Sequence, residues 1–161
     1  MGSEMCIRDS LIGYSGGGAV ATLLAAERHD IYSLRTVAGN LDHQEHSRIH
    51  AVSTLSDSLN PVGHVSHLRD IPQVHFVGAM DHIVPLAVTQ SYMNALGDNR
   101  CARIDVVDNA AHEDGWVNRW PALLAKTPSC EYAKPATVAP LDDWTPPPAP
   151  IRTKRLTPSK P

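Results

Sequence analysis

The stretch Leu11-Ile12-Gly13-Tyr14-Ser15-Gly16-Gly17-Gly18 constrains the fold more than any other part of this chain. A short apolar run ends in Gly-x-Ser-x-Gly, and an Ala/Leu-rich segment of helical pattern follows at once. This reads as a strand that stops, a sharp turn with serine at its apex, and a helix that starts directly after it. Glycines at 13 and 16 suit such a turn, because they let strand and helix approach closely. Ser15 then lies just before a helix N-terminus, where backbone N–H groups and the helix dipole favour a developing negative charge. The bare pattern arises by chance in roughly one chain in twenty of this length, so its strand-turn-helix setting carries the weight. The plainer alternative is a Gly-rich turn with Ser15 as the helix N-cap.

Composition narrows the classes. The chain has 161 residues, enough for one domain with a core. Its net charge is -3 and no basic stripe is present, which argues against a nucleic-acid partner. No run reaches the ~18 apolar residues of a membrane span, and no basic n-region followed by an apolar h-region marks a signal peptide. Cys6, Cys101 and Cys130 are an odd count without metal-type spacing. Cys101 and Cys130 can pair in an oxidising compartment, but free buried thiols are the expectation.

Along the chain, residues Met1 to Ser10 read as neither helix nor strand and are set aside as a leader. The first strand is expected at Leu11 to Tyr14, and a helix at Gly16 to Arg28 with Val20, Leu23 and Leu24 on one face and alanines filling the close-packing side. Leu34 to Ala38 reads as a second, buried strand. Leu41 to Asp70 is polar and His-rich, broken by Asn60-Pro61 and Gly63, and reads as an excursion outside the core. A strand at Gln73 to Val77, a helix at Leu86 to Leu96 closed by Gly97, and a strand at Ala102 to Val107 follow. Trp116, Val117, Trp120, Leu123 and Leu124 fall at helical spacing; Pro121 moves the start to about Asn118 to Trp120. The two tryptophans read as core. The Pro-rich segment 131–161 is expected to be a disordered tail. Strand–helix alternation with apolar strands predicts an α/β fold, a parallel sheet with helices on both faces.

Chemistry in such a sheet collects at the carboxyl ends of the strands. Ser15, Asp81 and His112 each follow a strand. A serine hydroxyl is a poor nucleophile near neutrality and needs a base, and histidine suits that task. A carboxylate then holds the imidazole in one tautomer and stabilises the imidazolium. Gly16 N–H is the candidate oxyanion-hole donor. Asp108 is the rival acid and His82 the rival base. Asp42, His43, Glu45, His46 and His50 form a second cluster, in which His46 and His50 are spaced to share a helix face and bind zinc. A solvated polar loop is the expected reading of that cluster, so no metal and no cofactor is assigned.

These pieces together resemble the C-terminal half of a bacterial α/β-hydrolase-fold serine hydrolase. The resemblance covers about Leu11 to Leu124. It rests on Gly13-Tyr14-Ser15-Gly16-Gly17, on Val37-Ala38-Gly39-Asn40-Leu41-Asp42-His43, on Gly78-Ala79-Met80-Asp81-His82-Ile83-Val84-Pro85 and on Ala111-His112-Glu113-Asp114-Gly115-Trp116. It implies a partial α/β-hydrolase domain over residues 11–130, without the N-terminal strands and second oxyanion donor of family members. It also implies cleavage of a small-molecule acyl substrate, an ester or related bond, through an acyl-enzyme, with an exported or lipid-anchored parent protein. Leu41 to Asp70 then falls where family members carry a lid. Two other classes compete: a non-catalytic fragment that only binds, and a His-rich metal-binding module.

Overall fold

The computed structural model describes residues 9–130. The predicted Pro-rich tail and Cys6 lie outside them. Four strands, β1 (Asp9–Tyr14), β2 (Ile31–Val37), β3 (Gln73–Gly78) and β4 (Ala102–Val107), form one sheet in the order β1-β2-β3-β4. Every neighbouring pair is parallel. β1 begins at Asp9, two residues before the predicted start, where Arg28 reaches the Asp9 carboxylate at 2.6 Å.

Helix α1 (Gly16–Glu27) joins β1 to β2. Helix α2 (His43–His50) and a 3₁₀ segment, Pro61–His67, lie between β2 and β3. Helix α3 (Leu86–Leu96) joins β3 to β4, and α4 (Trp120–Leu124) follows β4. Because spatial order repeats chain order, crossovers of one hand return on one face of the sheet. The second apolar cluster reflects this: Ala25 and Ala26 of α1, Leu41, Leu68, Tyr92 and Leu96 of α3, and Ala102 pack together. The opposite face holds Val37, Val74, Phe76 and Val107 against Trp116 and Leu123, with Trp120 packed at the edge. Helices therefore cover both faces, with α4 alone on the second among the described residues.

Two details bear on the sequence reading, the first in agreement with it and the second departing from it. The core face of α1 is its small-residue side, Gly18, Ala19, Ala21, Thr22, Ala25 and Ala26, whereas Val20 is 65% exposed. The cause is close approach to β1. A Cβ on Gly13 would stand 2.2 Å from the Gly17 carbonyl oxygen, so only small groups fit between helix and strand. The second is the segment expected to lie outside the core. Residues 51–59 are exposed, but Leu41 and Leu68 at its ends are fully buried. These two leucines anchor the excursion to the sheet.

The cysteine expectation is also corrected: Cys101 and Cys130 are joined by a disulfide. After α4 the chain runs back beside β4, where Lys126 meets Asp105 at 2.9 Å, and this return brings residue 130 to the start of β4.

β3 is buried along its whole length although it carries Gln73 and His75. Their polar atoms are satisfied internally. His75 Nδ1 lies 2.9 Å from Thr36 Oγ1, and His75 Nε2 lies 3.2 Å from Gln73 Oε1. Tyr92 O–H donates to the same Gln73 oxygen at 2.8 Å, and Gln73 Nε2 donates to the Leu68 carbonyl at 2.7 Å. A neutral imidazole protonated on Nε2 satisfies both partners. Burial pushes His75 down to about 3 from its ordinary 6.5.

Two predictions follow from this packing. Above pH 6.5 the folded and unfolded chains both hold His75 neutral. Between 6.5 and about 3 only the unfolded chain binds the proton, so stability is lost as the pH is lowered through this window, by up to about 1.4 kcal/mol per unit. Urea unfolding at a series of pH values should show this slope, and His75→Gln should flatten it. Gly13→Ala forces a methyl against the Gly17 backbone, and the urea midpoint should drop by the equivalent of about 1–3 kcal/mol or more.

Candidate active site

The site is built where three strands end on one rim. β1 stops at Tyr14 and α1 begins at Gly16, leaving Ser15 alone in the turn with φ 52° and ψ -125°. That positive φ is unfavourable for a residue with a Cβ and costs of order 1–3 kcal/mol unless its surroundings hold it. They do. Ser15 N–H donates to the Val37 carbonyl at 2.9 Å, and the Ser15 carbonyl accepts from Asn40 N–H at 3.2 Å and Gly18 N–H at 2.9 Å. The serine side chain makes no cap bond to the helix. Its Oγ instead lies 2.9 Å from His112 Nε2.

His112 comes from the loop after β4, Asp81 from the loop after β3. A Cβ on Gly78 would lie 2.5 Å from the Ala110 carbonyl oxygen, so glycine there lets the two loops touch. Met80 N–H then donates to that carbonyl at 2.9 Å. Asp81 is buried, and its two oxygens divide their work. Oδ1 accepts from Ile83 N–H at 2.9 Å and Val84 N–H at 2.8 Å, which folds the acid loop over its own carboxylate. Oδ2 lies 2.9 Å from His112 Nδ1. A carboxylate can only accept, which places the imidazole proton on Nδ1 and leaves Nε2 a lone pair toward Ser15.

The other sequence candidates lie elsewhere. Asp108 and His82 are exposed, and neither enters the Ser15–His112–Asp81 chain. Gly16 opens α1, so its N–H has no carbonyl one turn back in the helix.

The Asp42 to His50 cluster resolves into two functions of packing. Asp42 caps α2, accepting from Gln44 and Glu45 N–H, from Asn60 Nδ2 at 3.0 Å and from Ser91 Oγ at 2.7 Å. Burial pushes its carboxyl up, and the hydrogen bonds from Asn60, Ser91, Glu45 and Gln44 outweigh this and leave it below its ordinary value. His46 and His50 do share a face of α2, with ring centroids 4.6 Å apart. Both turn Nε2 toward the Ile83 carbonyl, at 3.1 and 2.8 Å, and so clasp α2 to the acid loop. Burial lowers His46, as does its neighbour His50. Burial lowers His43 too.

Two residues at the site were given no part in it from the sequence. Tyr14 O–H donates to the His112 carbonyl at 2.8 Å. Burial raises its phenol, with the charges of Glu113, Asp81 and Asp114 adding to the shift. Trp116, expected to be core, is core, and its Nε1–H also reaches the carbonyls of Ala111 and His112, both at 2.9 Å. Strand alternation signals that Tyr14 faces away from α1, but nothing in the pattern names its partner. An apolar hollow of about 270 Å³ lies beside the site, lined by Ile12, Tyr14, Val37, Glu113, Trp116 and Trp120.

No family model matches the chain, and no curated protein does. Solved structures do. An esterase from Pyrococcus furiosus is 14% identical with a TM-score of 0.62; the match covers 73% of this chain and 52% of the esterase. An α/β hydrolase from a Penicillium species is 14% identical with a TM-score of 0.56, over 72% of this chain and 60% of that one. An acylaminoacyl peptidase from Pyrococcus horikoshii is 14% identical with a TM-score of 0.54, over 66% and 20%. The chain thus spans about half the length of the esterase it matches. Over its described residues it has part of the α/β-hydrolase fold.

Proposed function

We propose that the chain carries the nucleophile, base and acid of a serine hydrolase that cleaves a small ester or related acyl bond. One observation carries the reading: an unbroken relay from Ser15 Oγ to His112 Nε2 and from His112 Nδ1 to Asp81 Oδ2, 2.9 Å at each link. The strained backbone at Ser15 supports it, since such strain collects at functional turns. The matched structures named as esterases and an acylaminoacyl peptidase fit the same chemistry.

In this mechanism His112 Nε2 takes the Ser15 hydroxyl proton as Oγ attacks the acyl carbon. Asp81 holds the ring tautomer and stabilises the imidazolium. Gly16 N–H donates to the developing oxyanion at the α1 N-terminus, where one such donor is worth on the order of 10²–10³ in rate. His112 returns the proton to the leaving oxygen or nitrogen, and the acyl group stays on Oγ. Water then attacks, with His112 as base again, and releases the acid and free serine. This chemistry calls on no cofactor.

A fluorophosphonate probe applied to the whole chain should phosphonylate Ser15, seen by mass spectrometry of the modified peptide. Ser15→Ala should take no label and lose turnover of a p-nitrophenyl ester, and Asp81→Asn should lower turnover by about 10⁴-fold. Absence of label on the wild-type chain under conditions where it is folded favours the binding-only alternative. Esterase turnover that survives Ser15→Ala removes the triad.

A further inference from the structure

We propose that Tyr14 is a positioning residue: its phenol ties the loop that carries His112 to the strand that carries Ser15. The inference rests on the hydrolase reading of the site.

Tyr14 ends β1, and strand alternation turns its side chain to the face opposite α1. Its side chain does not join the apolar core of that face, and the residue remains 46% exposed. Burial therefore does not account for its orientation. Its contacts do. The phenol O–H donates to the His112 carbonyl at 2.8 Å. The ring lies beside the imidazole, centroids 5.4 Å apart and planes tilted by 40°. The same carbonyl accepts Trp116 Nε1–H at 2.9 Å from the other end of the loop. A carbonyl oxygen has two lone pairs, and here both are used.

The consequence is geometric. His112 lies in a loop between β4 and α4 that also closes on itself through Ala111 N–H and the Asp114 carbonyl at 3.0 Å. Asp81 controls the rotation of the imidazole about its Nδ1 side. Tyr14 and Trp116 control where the backbone beneath that ring stands. Tyr14 is bonded in sequence to Ser15, so one residue links the positions of nucleophile and base. Alignment to a few tenths of an ångström matters, because a misplacement near 1 Å can cost about 10²-fold in rate.

The test uses Tyr14→Phe, Trp116→Phe and the double variant in the full chain. Each is assayed for p-nitrophenyl ester turnover, for the rate of fluorophosphonate labelling at Ser15 and for thermal midpoint. Tyr14→Phe keeps the ring and removes only the donor. It should lower kcat and the labelling rate about tenfold, leave KM unchanged, and leave the thermal midpoint where it was. The double variant should lose more than the product of the single losses, because only it leaves the His112 carbonyl without a donor. Wild-type kcat in Tyr14→Phe overturns the proposal, as does a rise in KM at constant kcat, or a loss that tracks the thermal midpoint. If Trp116→Phe does not fold, Tyr14→Phe alone decides between these outcomes. A folded wild-type chain that takes no label at Ser15 overturns the hydrolase reading and this inference with it. Normal wild-type labelling with unchanged Tyr14→Phe overturns this inference alone.

Discussion

Ser15 is held in its positive-φ turn by hydrogen bonds to the end of β2 and the loop that follows it, and the rest of the site depends on that hold. The donor is its own N–H, to Val37; the acceptor is its own carbonyl, from Asn40. A strained residue pinned through both backbone groups cannot relax into the helix that follows it. The helix is kept close by the absence of a side chain at Gly13, which lets the Gly17 carbonyl pass over the strand. The Ser15 turn, strand pairing and helix packing are thus one arrangement. Loosening any of them would move the hydroxyl.

The parallel sheet does the same for the other two groups. Parallel strands end on one rim, so the loops after β3 and β4 start within reach of the turn after β1. Gly78 lets those two loops touch, and the Met80 to Ala110 backbone bond fixes them. The acid loop is then gripped from outside by His46 and His50. The segment between β2 and β3 therefore supports the site, although its middle lies in solvent. Beneath the rim, the Thr36–His75–Gln73–Tyr92 network ties β2, β3 and α3 together through buried polar contacts. Such a network is demanding, because each buried group must find its partner.

Much of this was legible in the residues. The glycine-serine turn followed by a small-residue helix marked β1 and α1, and the helix at Leu86 to Leu96 and strand at Ala102 to Val107 have the predicted bounds. Ser15, Asp81 and His112 could be named because each follows a strand, and the structure brings the three side chains together. The misread parts share a cause. Polar composition pointed Leu41 to Asp70 away from the core, but Leu41 and Leu68 are fully buried at its ends and Val62 and Val65 pack beside them. Cysteine spacing said nothing of the path by which residue 130 returns to residue 101.

The amino-acid order alone determined the class of fold, the strand ends and the residue types gathered after them, because periodicity and turn chemistry are local properties. Which atoms meet was decided only by the tertiary structure. The contact of His112 Nδ1 with Asp81, the clasp of His46 and His50 on Ile83, and the shared carbonyl of His112 all depend on distances between segments tens of residues apart in the chain. Those distances are set by strand register and helix packing, which no short window of sequence contains.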